Sequence, residues 1–250
     1  MKTDWIRPAW KLSPRIQVAT TTCAGGLSAG RYAHFNLAEH VGDEPEAVRA
    51  NRVSLLETID CERIQWLEQV HGSHIVRASM ASASKVPEAD GAWTNSPGVG
   101  LAVLTADCLP VVVCEESGTV VGIAHAGWRG LVTGVLQNLV EQMPAESGCL
   151  SAWIGPGIGG AVYEVGEDVA QGVATLGLAA DLQRQVMRPS IAPGKYLFDM
   201  EALAVSILKG CGLGGVAAVS GCCTYGDKRF YSYRRDGTTG RMATLVWLLP

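Results

Sequence analysis

The stretch LTADCLPVVVCEESGTVVGIAHAGWRGL, Leu104 to Leu131, decides the fold class. Two runs within it, Leu109 to Cys114 and Val120 to His125, are β-branched and apolar with almost no polar face, as expected of strands buried on both sides. A helical pattern follows directly, from about Trp128 to Gln142. Buried strands that alternate with helices through glycine turns make an α/β protein. The few polar residues of the stretch stand at the ends of the strands: Asp107 and Cys108 open one, and His125 closes another just before Gly127, Trp128 and Arg129.

The same alternation extends outward. Ile16 to Thr22 reads as a strand, and GGLSAGRYAHFNLAEHVGD as a loop too rich in turn residues for a regular element. A helix is expected from about Glu44 to Thr58, with Asp43 as its cap and Pro45 in its first turn. Strand patterns follow at Ile64 to Val70, His74 to Ser79 and Val99 to Thr105. Ala152 to Ile154 is a short strand entering GPGIGG. Glu167 to Leu176 and Phe198 to Gly210 read as helices, and Gly215 to Ser220 and Ala243 to Leu248 as strands. With no Pro- or Ser-rich linker and no internal repeat, one α/β domain spanning residues 1–250 is expected.

Composition narrows the function. Of 250 residues, 48% are hydrophobic, 18% are charged and 30 are glycine, which describes a folded chain with deep burial and many tight turns. The net charge of -4 argues against sequence-independent nucleic-acid binding. The N-terminus lacks the apolar core of a signal peptide, and the most apolar stretch, Val99 to Cys114, is broken by Asp107 and Pro110, so no membrane partner is expected. Eight cysteines without regular spacing do not make a disulfide scaffold, and a cytoplasmic location is the expectation.

Three residues at strand ends stand out: His71 in EQVHGS, Cys108 in TADCLPV and His125 in IAHAGWRG. Each alone has a plain structural reading, as a packed thiol or a satisfied imidazole. Together, two imidazoles and a thiolate are a zinc ligand set with a fourth position open, the arrangement of catalytic sites. No paired CxxC spacing marks a closed structural site. Copper in a trigonal site is an alternative, but needs a weak axial ligand, and none of the 6 methionines lies near these motifs. A third reading has no metal: Cys108 as nucleophile with His71 or His125 as its base.

Groups suited to an anion surround these residues. Arg129 stands at the expected start of a helix, where free N–H groups favour phosphate, although a solvated surface arginine reads the same way. GPGIGGAVYEVG, Gly155 to Gly166, offers a loop whose backbone can approach a ligand. KRFYSYRRDGTTGR, Lys228 to Arg241, interleaves cations with aromatic rings, so Tyr233, Arg234 and Arg235 are candidate substrate-binding residues. A charged hairpin around RRDGTTG accounts for the same residues structurally. Asp107 is a candidate for orienting a ligand imidazole or for proton transfer, and Asp90 in EADGAWTN reads equally well as a turn former.

Taken together, QVHG, ADGAWT, TADCLPV, HAGWRG, GPGIGGAVYEVG and FYSYRRDGTTGRMA resemble the laccase-domain family, formerly called multicopper polyphenol oxidases, which includes the bacterial YfiH proteins, the peptidoglycan editing factor and a human macrophage homologue. The resemblance runs from about Cys23 to Leu248 with no departure at the motif positions. It implies a single-domain layered α/β sandwich with mixed sheets, similar to the catalytic domain of cytotoxic necrotising factor. It also implies a zinc site on His71, Cys108 and His125. The residues themselves, apart from the resemblance, add Asp107 and Arg129 to the candidate catalytic set. The activities it implies are purine nucleoside phosphorolysis, on adenosine, inosine and 5'-methylthioadenosine with phosphate, and adenosine deamination. Peptidoglycan editing and copper-dependent polyphenol oxidation are further activities attributed to the family.

Chemistry ranks these. A blue multicopper oxidase needs more imidazoles than 5 histidines supply, two of them being His34 and His40 at unpromising positions. Deamination fits zinc, which lowers the pKa of water, although the HxE with PCxxC signature is absent. Phosphorolysis needs cationic clamps, for which Arg129 and the Lys228 to Arg241 segment are the candidates. A cysteine-dependent amide hydrolase acting through Cys108 and a non-catalytic zinc-binding protein are the competing expectations.

Overall fold

The computed structural model describes residues 4–9, 12–219 and 222–250. In chain order its elements begin with β1 (Ile16–Thr20), α1 (Pro45–Thr58), β2 (Arg63–Gln65), β3 (Ile75–Arg77) and β4 (Gly91–Thr94). The apolar middle of the chain forms β5 (Val99–Thr105), β6 (Leu109–Glu115) and β7 (Val121–Ala126), then α2 (Trp128–Thr133), α3 (Val135–Gln142) and β8 (Leu150–Ile154). β9 (Glu164–Val165), α4 (Glu167–Ala174), α5 (Ala180–Val186), β10 (Met187–Pro189) and β11 (Tyr196–Phe198) follow. The last are α6 (Met200–Gly210), β12 (Gly215–Ala218), α7 (Tyr233–Asp236) and β13 (Met242–Leu248).

The apolar runs pair as their composition requires. β6 lies antiparallel between β7 and β8, with Pro110 opposite His125, at the centre of a six-stranded sheet ordered β12-β8-β6-β7-β4-β3. The sheet is mixed, since β12 runs parallel to β8 and β3 parallel to β4. A four-stranded sheet, β1-β13-β5-β2, is antiparallel except for its β2–β5 pair.

Alternating side chains along each strand then build the layers. Val112, Ile123 and Trp153 pack against Leu101, Val103 and Val246, which seals the two sheets face to face. The other face of the large sheet, through Val111, Val113 and Ile154, meets Leu136, Val169 and Leu203 of α3, α4 and α6. The outer face of the small sheet, through Leu104, Leu245 and Trp247, is covered by Leu55 of α1 with Phe35 and Leu37 of the loop before it. The result is a helix–sheet–sheet–helix sandwich, the expected layered α/β class. Each fully buried Val, Leu or Ile contributes roughly 1.5–3 kcal/mol, so the middle strands anchor the scaffold.

Several boundaries differ from the sequence reading for identifiable reasons. Asp43 does not cap α1: Glu44 holds the cap position, and the Asp43 carboxylate accepts from the Glu44 N–H and from Asn36 Nδ2. The helix expected from Trp128 to Gln142 splits into α2 and α3 at Gly134, whose φ of 94° is left-handed. The strand expected over Ile64 to Val70 stops at Gln65. Beyond it the Gln69 side chain takes the place of a strand partner, accepting from Leu104 N and donating to Leu104 O. Phe198 closes β11, and α6 starts after Asp199, whose carboxylate caps it at Ala202 N. The charged hairpin expected around RRDGTTG is instead the short helix α7, capped by the Ser232 hydroxyl. The strand reaching to Ser220 ends at Ala218, and Ser220 lies outside the described residues. Among the described residues, no helix is long and apolar enough to cross a membrane.

Candidate active site

Three segments converge at one end of the sandwich. His71 sits in the turn between β2 and β3, Cys108 in the β5–β6 turn, and His125 near the end of β7. Their ligand atoms all lie within 4.8 Å of one another, the only such group among the described residues. The two imidazole rings meet edge to face, with centroids 4.8 Å apart. His71 is exposed, Cys108 half-buried and His125 buried, so the group opens to solvent on one side. Gly127 forms the opposite wall: a Cβ there would come within 3.0 Å of Cys108 Sγ and 3.1 Å of His71 Cδ2. Any larger residue would press on two of the three donors.

Asp90, fully buried at the edge of β4, stands behind the histidines. Its Oδ1 accepts from His125 Nδ1 at 2.8 Å, which leaves Nε2 as the atom free to bind a metal. The role proposed for Asp107, orienting an imidazole, is thus filled by Asp90. Asp107 does different work: its Oδ1 accepts the Thr224 hydroxyl and its Oδ2 the Arg234 backbone N–H, both at 2.7 Å.

The electrostatics of the cluster favour a bound thiolate. Burial opposes ionisation of Cys108, but His125 and His71 beside it outweigh that cost and bring the thiol down to about 6. Burial likewise disfavours a charged His125, yet the Cys108 sulfur and Asp90 push it up to about 9. Each group thus favours the charged form of the other. Two imidazoles and a thiolate with one open side match the donor chemistry of zinc, whose binding would displace protons from the donors.

The three donors line a cavity of ≈ 390 Å³ together with His40, Gln69, Asp107, Trp128, Arg129, Tyr163, Tyr233, Arg234 and Arg241. The segment from Lys228 to Arg241 is therefore divided. Tyr233, Arg234 and Arg241 face the cavity, whereas Arg235 does not line it. The Arg235 guanidinium donates to the carbonyls of Thr224, Tyr225 and Phe230 and to Asp236, and so staples the segment together. Arg129 lies over the Trp128 ring at 4.4 Å and Arg234 over Tyr163 at 4.9 Å. His40, Tyr163 and Arg241 also line the cavity and Asp90 supports it, although the sequence marks Asp90 no more strongly as a functional residue than as a turn former, His40 as unpromising, and Tyr163 and Arg241 only as members of longer motifs. A buried acid directly before a strand was the available signal for Asp90, and the Arg ending its motif the signal for Arg241.

Residues 17–249 match the family model described as multi-copper polyphenol oxidoreductase laccase. The chain belongs to this family. A Pseudomonas aeruginosa relative named as a purine nucleoside phosphorylase is 43% identical, with 98% of each chain covered. The Escherichia coli purine nucleoside phosphorylase YfiH is 38% identical, again over 98% of both. The crystal structure of a Neisseria meningitidis protein superposes with a TM-score of 0.92 at 40% identity, covering 99% of this chain and 100% of that one. YlmD from Geobacillus stearothermophilus gives a TM-score of 0.91 at 31% identity, covering 100% and 98%. These relatives share the family's fold as well as its sequence.

Proposed function

We propose that this chain is a zinc-dependent purine nucleoside phosphorylase, acting on adenosine, inosine and 5'-methylthioadenosine, with a secondary adenosine deaminase activity. One observation carries the reading. Arg129, Arg234 and Arg241 line the same cavity as the His–Cys–His group, and among the described residues none of the three has a carboxylate partner within ion-pair distance. Three uncompensated guanidinium groups converging on a cavity are matched to an anion such as phosphate, which they can hold through paired N–H donors. The names of the Pseudomonas and Escherichia relatives point to the same chemistry.

On this reading the lining residues divide the work. Arg129, Arg234 and Arg241 hold phosphate against the anomeric carbon of the sugar. Trp128, Tyr163 and Tyr233 offer flat surfaces to the purine. Zinc held by His71, Cys108 and His125 supplies Lewis-acid stabilisation of developing negative charge. Among the described residues Asp107 is the one carboxylate lining the cavity, and both of its oxygens are already engaged. A proton-transferring acid for deamination is thus less well provided than an anion clamp, which makes phosphorolysis the principal reaction. A cytoplasmic location is part of the same proposal and rests on the irregular cysteine spacing of the sequence.

A second reading rests on a different feature. The order Cys108, His125, Asp90 places a low-pKa thiol, a base and an orienting carboxylate in one relay, as a cysteine-dependent amide hydrolase requires. Product analysis separates the two. Adenosine is incubated with metal-quantified wild type and Cys108→Ala, with and without phosphate. Adenine and ribose 1-phosphate formed only by the wild type, and only with phosphate, are the expected products. Inosine alone would make deamination the principal activity. Amide cleavage that survives zinc removal and leaves an adduct on Cys108, with no nucleoside turnover, would favour the hydrolase.

A further inference from the structure

We infer that Asp90 is a positioning residue that sets both histidines of the metal group at once, one through its ring and the other through its backbone. The inference rests on the zinc reading of His71, Cys108 and His125, not on the phosphorylase reading.

Four donors meet the Asp90 carboxylate. Oδ1 accepts from His125 Nδ1 at 2.8 Å and from the His71 backbone N–H at 2.9 Å. Oδ2 accepts from the Gly72 N–H at 2.6 Å and the Val70 N–H at 3.2 Å. Three successive backbone N–H groups pointing at one anion form a concave nest, a conformation that requires a left-handed residue in the turn. That residue is His71, with a φ of 60°, which few side chains adopt without compensation. The anion at the centre of the nest supplies it. Asp90 in turn is fixed by its own main chain, its N–H donating to His74 O and its carbonyl accepting from His125 N at 2.7 Å. The carboxylate is 0% exposed, so water cannot substitute for it.

Two consequences combine. The hydrogen bond to Nδ1 holds the His125 proton there and presents Nε2 to the cavity. The nest holds the His71 backbone in the conformation that brings its ring within reach of Cys108. A residue with this double hold affects metal binding more than a partner to one imidazole would. The neutral isostere is the informative change, because Asp90→Asn keeps the size but aims an NH2 group at donors that need an acceptor.

The experiment measures zinc affinity by chelator competition, together with the visible spectrum of the cobalt-substituted protein and the nitrogen-15 shifts of the histidine rings. Wild type, Asp90→Asn and Asp90→Glu are compared. Asp90→Asn is expected to bind zinc 10–100-fold more weakly, to alter the cobalt spectrum and to release the His125 Nδ1 proton preference, with the circular dichroism of the fold retained. Asp90→Glu keeps the charge while displacing it, and is expected to fall between the two. It supplies the same comparison should Asp90→Asn fail to fold. If the folded variants show wild-type zinc affinity, cobalt spectrum and imidazole shifts, and only a lowered melting temperature, Asp90 is merely structural and the inference is overturned. A wild type that takes up no zinc would overturn the zinc reading, and this inference with it.

Discussion

Asp107 Oδ2 accepts the backbone N–H of Arg234 at 2.7 Å, tying the turn that presents Cys108 to the segment that presents Tyr233, Arg234 and Arg241. The tie crosses from the His–Cys–His group to the arginine-lined side of one cavity. It also holds Asp107 in place at a φ of 102°, a left-handed conformation for a residue that is not glycine. Removing the charge should therefore loosen the clamp and spare the metal. Asp107→Asn is expected to lose about 1.5–3 kcal/mol of transition-state stabilisation, the range for hydrogen bonds to a charged group. Phosphorolysis kinetics with zinc quantified in parallel will test this. A variant that loses deamination alone would instead identify Asp107 as the proton-transferring acid.

Arg234 and Arg235 are neighbours with opposite expected phenotypes. Arg234 projects into the cavity over Tyr163, while Arg235 holds three backbone carbonyls. Arg234→Ala should depress kcat/KM by roughly the 1–3 kcal/mol typical of a lost charge-assisted contact, with little change in unfolding free energy. Arg235→Ala should lower stability by about 1–3 kcal/mol through its orphaned carbonyls, and reduce activity only as α7 loosens. Urea unfolding beside steady-state kinetics will show whether the two effects separate in this way.

The parts of this molecule that were legible in the sequence are those fixed by local pattern. β6 and β7 are short apolar runs carrying β-branched residues and almost no polar face, and their burial on both faces follows from that pattern. His71, Cys108 and His125 were visible because polar residues at the ends of such strands have few structural reasons to be there. Asp90 was not, because its task is defined by residues near it only after β4 pairs with β7. Arg235 failed to declare itself for the same reason: its three carbonyl partners come from a loop whose path the sequence does not display. The break at Gly134 was hidden by apolar periodicity that continues through it.

Alkaline pH should destabilise the fold through its buried thiols and phenols. Burial pushes Cys61 up to about 12 from an ordinary value of 9.0, with Asp60 adding to the effect. Burial also raises Cys114 and Tyr231 above their ordinary ranges. Because these folded-state values are raised, their contribution is fully present below pH 9 and is lost as pH climbs from 9 toward 12, where the unfolded chain releases protons that the folded chain keeps. The urea midpoint is expected to fall steadily above pH 9. Cys61→Ala should make that decline shallower, and an unchanged slope would show that Cys61 does not contribute to it.

Arg241 provides the sharpest test of the anion clamp. Its guanidinium is partly buried, burial lowers its pKa, and it donates only to the carbonyls of Thr239 and Gly240 through one nitrogen. A half-buried cation with no carboxylate partner among the described residues is costly to leave uncompensated, and an anion bound in the cavity would relieve that cost. Arg241→Ala should therefore raise the KM for phosphate by about tenfold, equivalent to about 1.4 kcal/mol, while the KM for the nucleoside changes little. Arg241→Lys restores charge but not the paired donors, so it should recover only part of the loss. The comparison is made at two salt concentrations, because a purely long-range field would weaken with ionic strength and a direct contact in a partly buried site would weaken far less. Equal rises in both KM values would place Arg241 against the nucleoside instead and leave the clamp to Arg129 and Arg234.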